Sequence, residues 1–279
     1  MKKLVLVALV LAISGIAGAA VNVPVNGLTG LWTFGADWTA PIVGQPLSGV
    51  VGNGNQSVPW VEIGTVANGG LYSNGLGAQM FSADTYVTVN PSFAANGGGS
   101  YVNEYTIAFD YAQTDGGSVG GVNGLFQSAW DHIGSSAELF NKKTSEGNFI
   151  IGHDSTGWST ATFNATQWHR YMISVDNGNF FRVYVDGVLL LDGTAQGVDG
   201  TYSLYIDRFH LLEGDWNWGN DRWGYISTIA TWGRALSTSE IGAMGGWIGG
   251  AATPTALIVP EPATLAILAL GGLLLRRKK

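Results

Sequence analysis

The sequence predicts an all-β fold, a sandwich or jelly roll of two antiparallel sheets. Three observations carry this expectation. Apolar and polar residues alternate with a period of two in several short segments. Forty-two glycines among 279 residues supply the tight turns between such segments. Charged residues make up only 12% of the chain, too few to clothe long solvent-exposed helices.

Both ends stand apart from this pattern. Lys2 and Lys3 precede an apolar run from Leu4 to Ile13, and Ala17-Gly18-Ala19 or Gly18-Ala19-Ala20 offers small residues for cleavage. This is the layout of a secretory signal peptide over residues 1–20. The run is too short for a membrane span. The folded domain is expected over residues 21–246, enough chain for one all-β unit with a large core.

Within the domain, "YTIAFDYAQ" sets Thr106, Ala108 and Asp110 against Ile107, Phe109 and Tyr111. "HRYMISVD" and "FFRVYVDGVLLL" alternate in the same way. In the latter, Asp186-Gly187 separates two apolar runs, a strong hairpin signal. "SLYIDRFHLL" and "RWGYISTIATW" read as two further strands. Trp168 and Trp232 fall in strand patterns and are expected in the core. Arg170 and Arg182 sit at alternating positions and are expected on an outer face. The one helix expected in the domain is "STSEIGAM", capped by Ser237 or Thr238 with Glu240 in its first turn. The Gly, Ala, Thr and Pro of residues 247–258 read as a linker. No internal repeat has a fixed period, which argues against a solenoid or propeller.

Composition narrows the chemistry. Six of the thirteen basic residues lie at the termini, so the domain carries seven against nineteen acidic ones once Glu261 of the tail is set aside. That balance disfavours nucleic acid and anionic lipid as partners and permits a cation. The chain has no cysteine, so it has neither a disulfide framework nor thiol chemistry. His132, His153, His169 and His210 show no zinc spacing. His169, next to Trp168 at a strand start, reads as structural. In "GHDSTG", His153, Asp154 and Ser155 are adjacent, and neighbours on a strand point to opposite faces rather than forming a triad. "GNGNQS" lacks the glycine spacing of a phosphate-binding loop.

Three segments then resemble laminin-G-like domains. "QWHRYMISVDNGNFFRVYVDGVLL" (Gln167 to Leu190) has their Trp-His, alternating strand and Tyr-Val-Asp-Gly hairpin. "GYISTIATWGRALSTSEIGAM" (Gly224 to Met244) is similar to their final strand and ending, and "YVNEYTIAFDYAQ" (Tyr101 to Gln113) to an early core strand. The resemblance covers roughly Leu31 to Gly246 and implies the concanavalin A-like jelly roll of two antiparallel sheets. That fold hosts lectins, enzymes and adhesion modules, so it does not fix a function.

In the related pentraxins the loop before the same final strand supplies carboxylates to calcium. Here that loop is "LLEGDWNWGNDRWGY", and Glu213 and Asp215 fall on its Glu-x-Asp pattern. The resemblance implies calcium as the cofactor, and hard oxygens on a loop suit it. Asn217, Asn220 and Asp221 could add oxygens, but the earlier Asp-Asn pair of the pentraxins has no match. A solvated acidic loop is the competing reading. Trp216, Trp218 and Trp223 share the loop and either cap the core or form a stacking platform for sugar. Glycosidases of this fold resemble one another in a strand bearing Glu-x-Asp-x-(x)-Glu, a pattern this chain lacks. A divergent hydrolase or lyase would have to recruit Glu138, Glu146 or Glu213 from separate elements.

The C-terminal segment, residues 259–279, resembles the PEP-CTERM sorting signal. Pro260, Glu261 and Pro262 precede a largely apolar stretch from Ala263 to Leu275, and Arg276, Arg277, Lys278 and Lys279 follow. Thirteen helical residues span about 20 Å, short of a ~30 Å hydrocarbon core. The resemblance implies signal peptidase and exosortase as processing partners, contact with the membrane only through the tail, and delivery to the cell surface or beyond. The expected function is a non-enzymatic binding module for polysaccharide or matrix glycan. A hydrolase or lyase on the same fold, or a purely structural matrix protein, stands as the alternative.

Overall fold

The computed structural model describes residues 24–33, 43–45, 48–51, 60–62, 77–81, 85–113, 118–128, 137–212 and 224–246. The signal segment, the linker and the C-terminal tail lie outside them. In chain order the strands are β1 (Leu28–Thr33), β2 (Ser48–Val51), β3 (Trp60–Glu62), β4 (Gly77–Phe81), β5 (Thr85–Val89), β6 (Glu104–Gln113), β7 (Val122–Gln127) and β8 (Glu138–Lys143). They continue as β9 (Phe149–His153), β10 (Gly157–Trp158), β11 (His169–Asp176), β12 (Phe180–Val185), β13 (Val188–Gly193), β14 (Phe209–Leu211) and β15 (Gly224–Trp232). A single helix among the described residues, α1 (Thr238–Met244), follows.

The strands form two antiparallel sheets. One has eight strands in the order β13-β12-β11-β6-β15-β4-β3, with β1 also on β15. The other has seven, in the order β10-β9-β8-β7-β14-β5-β2. This is the jelly-roll sandwich that the alternation and the resemblance led one to expect. The main core lies between the sheets. Tyr105, Ile107, Phe109 and Tyr111 of β6 meet Leu125, Phe126, Leu139, Ile151, Phe209 and Leu211 of the facing sheet there. It also holds a polar seam. Asn123 donates to the Tyr111 hydroxyl at 3.2 Å, and Asn141 donates to that of Tyr171 at 3.2 Å.

The outer face of the eight-stranded sheet is an interior as well. Ala108, Met172, Tyr184, Ala230 and Trp232 project from it into a second cluster with Leu31, Leu236, Ile241 and Met244. The chain after β15 is strapped across that face. Thr106 Oγ1 donates to Arg234 O and accepts from Leu236 N, and Ser174 Oγ donates to Leu236 O. Helix α1 starts with the expected cap. Ser237 accepts from Glu240 N, and the Glu240 carboxylate returns to the Ser237 backbone, a capping box. Glu240 also accepts from Arg234 at 3.0 Å, and the guanidinium holds its carboxyl down at about 2.

Beneath the helix lies an ion pair. Asp110 accepts from Arg170 Nε at 2.8 Å and Nη2 at 3.0 Å, and both side chains are 1% exposed. Arg170 Nη1 donates to Met244 O, the last helical carbonyl. Burial works against this guanidinium, and Asp110 outweighs it, so its charge is held more tightly than usual. Arg170 and Arg182 do share the outer face, as their spacing predicts. Arg182 is half-buried beside an exposed Asp192, while Arg170 is sealed in.

Other expectations fare differently. Asp186 and Gly187 have φ of 52° and 77°, as a two-residue hairpin needs. Trp168 and Trp232 are buried. "SLYIDRFHLL" is not one strand. Only Phe209–Leu211 is extended in the sheet, because Leu204 makes an isolated bridge to Val102 and the chain bends outward before Arg208.

Removing one partner of a buried ion pair leaves the other charged and unpaired. Asp110→Ala is expected to cost about 3–5 kcal/mol in chemical denaturation. Arg182→Ala, which breaks a solvent-exposed pair, should cost less than about 1 kcal/mol. Equal losses would contradict this account of the second core.

Candidate functional site

The middle of the eight-stranded sheet is covered on both sides, which turns attention to the outer face of the seven-stranded sheet. Its residues follow from the register. Leu139 and Phe126 point into the core, so their neighbours Glu138 and Gln127 point out. Phe209 and Leu211 flank His210 in the same way, and Val87 and Val89 flank Thr88.

Three rows cross the strands on that face. The first is polar. Thr88 pairs with His210, His210 with Gln127, and Gln127 with Glu138, and Gln127 Nε2 donates to Glu138 Oε1 at 3.2 Å. His210, Gln127 and Glu138 are 4–5% exposed. The second row alternates glycine and aromatic residues: Gly124 pairs with Phe140, Phe140 with Gly152, and Gly152 with Trp158. Phe140 and Trp158 are two strands apart, about 10 Å, with Gly152 between them in the row. The third row is Val122, Lys142 and Ile150.

A bulge in β7 makes the first row. The register shifts between Gly124 and Phe126, and both Leu125 and Phe126 enter the core. Regular alternation from Gly124 would turn Gln127 inward. The extra residue turns it out beside Glu138.

Trp158 is half-buried and held from both sides. Its indole Nε1 donates to Asp154 Oδ1 at 2.9 Å, and Lys142 Nζ lies 5.0 Å from the ring centroid. His153 packs its ring 5.9 Å from that of Phe140, and burial pushes its imidazole below the usual value, against the pull of Asp154. His153 Nδ1 also meets Ser155 Oγ at 2.8 Å. These two do approach, because residues 154–156 form a turn rather than a strand. Asp154 is committed to Trp158, so no Ser-His-Asp relay forms here. The Tyr202 hydroxyl donates to Glu138 O at 2.6 Å, and burial pushes its pKa up to about 12.

The residues singled out in the sequence are placed as follows. Glu213, Asp215, Trp216, Asn217, Trp218, Asn220, Asp221 and Trp223 lie outside the described residues, as do Pro260, Glu261, Pro262, Arg276 and Arg277. Their loop joins β14 of one sheet to β15 of the other, leaving just past His210, with Leu212 N bonded to Leu125 O. Among the described residues no group of three or more His, Asp or Glu could hold a metal. Glu146 sits in the turn after β8, its carboxyl lowered by Ser145, about 17 Å of strand from Glu138. These two carboxylates are not brought together. His169 is structural. Its Nδ1 meets Asp186 Oδ2 at 2.6 Å and its Nε2 the carbonyl of Asn164.

Comparison with known proteins supports both ends of this picture. Residues 259–279 match the PEP-CTERM protein-sorting motif. The motif marks the chain for export and C-terminal sorting at the membrane and implies processing by an exosortase. Among the described residues no helix is long and apolar enough to cross a membrane. Comparison with curated protein sequences finds no match. Among solved structures, domain 4 of AbnA is similar. It belongs to a GH43 extracellular arabinanase from Geobacillus stearothermophilus and was solved in complex with arabinotriose. It is 16% identical, with a TM-score of 0.51, covering 78% of this chain and 98% of that domain. Trypanosoma rangeli sialidase is also similar, at 16% identity and a TM-score of 0.52, over 80% of this chain and 33% of the sialidase. The chain thus spans about a third of the sialidase length. The likeness is one of fold: a concanavalin-like jelly roll bearing a PEP-CTERM sorting segment.

The row spacing depends on Gly152. A Cβ there would lie 2.2 Å from Gly157 O and 2.8 Å from Trp158 Cα, both backbone atoms. Gly152→Ala is expected to push β10 off the sheet and lose about 1–3 kcal/mol in denaturation. Gly242→Ala in α1, where a Cβ meets nothing, should stabilise by up to about 1 kcal/mol.

Proposed function

We propose that this protein is an exported, non-enzymatic module that binds carbohydrate on the outer face of its seven-stranded sheet. The observation that carries the reading is the composition of that face. The part-exposed indole of Trp158 stands beside the Lys142 ammonium, 5.0 Å from the ring centroid, and its N–H is held by Asp154. A sugar offers a C–H face to such a ring and hydroxyls to the polar groups at its rim, while His210, Gln127 and Glu138, buried in the row behind it, do not reach the ligand themselves. The tryptophan-rich loop 213–223 leaves the sheet beside the polar row and belongs to the same proposal. The arabinotriose complex of the AbnA domain adds support by analogy of fold alone.

A second reading rests on Glu138, a carboxylate in the same row as His210, with Gln127 between them. A hydrolase needs a second carboxylate across the bond, about 5–9.5 Å away. Glu146 does not supply it.

Pull-down on envelope and matrix polysaccharides tests the reading. Wild-type protein is expected to be retained, and Trp158→Ala or the Trp216→Ala/Trp218→Ala double variant to lose at least about tenfold in affinity. A wild-type protein that ignores every such polysaccharide refutes it. New reducing ends that disappear in Glu138→Gln would assign the hydrolase reading instead.

A calcium ion on Glu213 and Asp215 is part of the proposal. The expected result is a melting midpoint that rises with calcium and falls back with chelator. An unchanged midpoint removes these two residues as ligands.

A further inference from the structure

We infer that the carbohydrate taken by this face is anionic, carrying a carboxylate or a sulfate ester. The inference rests on the face being a carbohydrate site and names the class of sugar. It starts from the fate of the basic residues. Each described arginine is in an ion pair: Arg170 with Asp110, Arg182 with Asp192, Arg208 with Asp207 and Arg234 with Glu240. Lys142 makes no ion pair with any described carboxylate. It stands on the outer face in register with Ile150, its ammonium over the Trp158 ring.

That position sets a choice between ligands. A sugar that stacks on the ring face covered by Lys142 must first lift the ammonium away. For a neutral sugar the lost cation–π contact is a cost of about two- to fivefold in affinity. An anionic sugar gives the ammonium a charge-assisted hydrogen bond in exchange, worth about tenfold or more. The same displacement therefore selects for charge. Two other features of the face bear on this choice. Glu138 lies four residues away along β8, about 13 Å, beyond the screening length of about 8 Å at physiological salt. The acidity of the whole domain slows the approach of a polyanion but is screened at contact in the same way. Asp154, the nearest carboxylate to the ring, is engaged by the indole N–H on the edge of Trp158.

The test uses the exported chain and polymers that differ in charge alone. Affinity is measured for polygalacturonate, for the same polymer fully methyl-esterified, and for dextran sulfate against dextran. The expected result is at least about tenfold tighter binding to one charged member than to its neutral partner, with added salt removing the difference. Preference in the first pair names a carboxylate, in the second a sulfate. Lys142→Gln should abolish the preference while lowering the melting midpoint by no more than about 4 °C, the loss of one cation–π contact, and Lys142→Arg should keep it. Equal binding within both pairs overturns the inference, as does a preference that survives Lys142→Gln. Trp158-dependent binding to neutral glycans only overturns the anionic class and leaves the carbohydrate face standing. Absence of binding to any glycan overturns both.

Discussion

Arg170 decides which side of this sandwich can work. Its guanidinium is tied to Asp110 across β11 and β6 and donates to the last carbonyl of α1. The helix is seven residues long, too short to hold itself in water. It is kept by what lies beneath it: Ile241 and Met244 in the second cluster, Thr106 and Ser174 gripping the strap, and Arg170 at its end. The consequence reaches the rest of the molecule. The central strands β6, β11 and β15 are buried on both faces, which closes the middle of the eight-stranded sheet. The proposed binding face lies on the seven-stranded sheet, where Trp158 and Lys142 stay part-exposed.

That sheet gains its character from two local departures from regular structure. The bulge at Leu125 turns Gln127 outward to complete the polar row. At Gly152, φ is 154° and the backbone of Gly157 and Trp158 comes too close for a side chain. The two-residue strand β10 can then lie against β9 and bring Trp158 into line with Phe140. Neither feature is needed to fold a sandwich, and each costs ladder regularity. Together they gather hydrogen-bonding groups, ring faces and a cation onto five adjacent strands, β14 to β10.

Much of the fold was legible in the sequence because β11, β12, β13 and β15 obey a plain period of two and share an Asp-Gly turn and a capped helix. The alternation of β6 is equally plain, but it does not tell whether the polar side is covered. Whether Asp110 and Arg170 meet water depends on a strap about sixty to a hundred and thirty residues further along the chain, and no local pattern reports that. The rows on the outer face were harder still. Glu138 was noticed as a carboxylate, but Phe140, Gly152 and Trp158 are scattered over nineteen residues, and only strand pairing aligns them. The repeated aromatic and glycine residues of "LFNKKTSEGNFIIGHDSTGW" were the available signal. Reading them required a register, and a bulge changes registers without announcing itself in composition.

The same asymmetry separates the two ends of the protein's task. The last described residues lie on the outer side of the eight-stranded sheet. Gly246 packs so closely on Asp186 that a Cβ would fall 2.0 Å from its Cα, and Gly245 lies against Gly187. The chain therefore heads for its sorting segment from the β12–β13 hairpin. The polar and aromatic rows are on the opposite side of the sandwich, two sheets away, about 10 Å of core between them. A substitution at the hairpin or in α1 acts on the root of the tail and on stability, and one at Trp158 or Lys142 acts on the presented face. Distant sites with no shared partners contribute nearly independently. The fold thus lets the address and the proposed binding surface change without disturbing each other, with Arg170 holding the helix on the side of the tail.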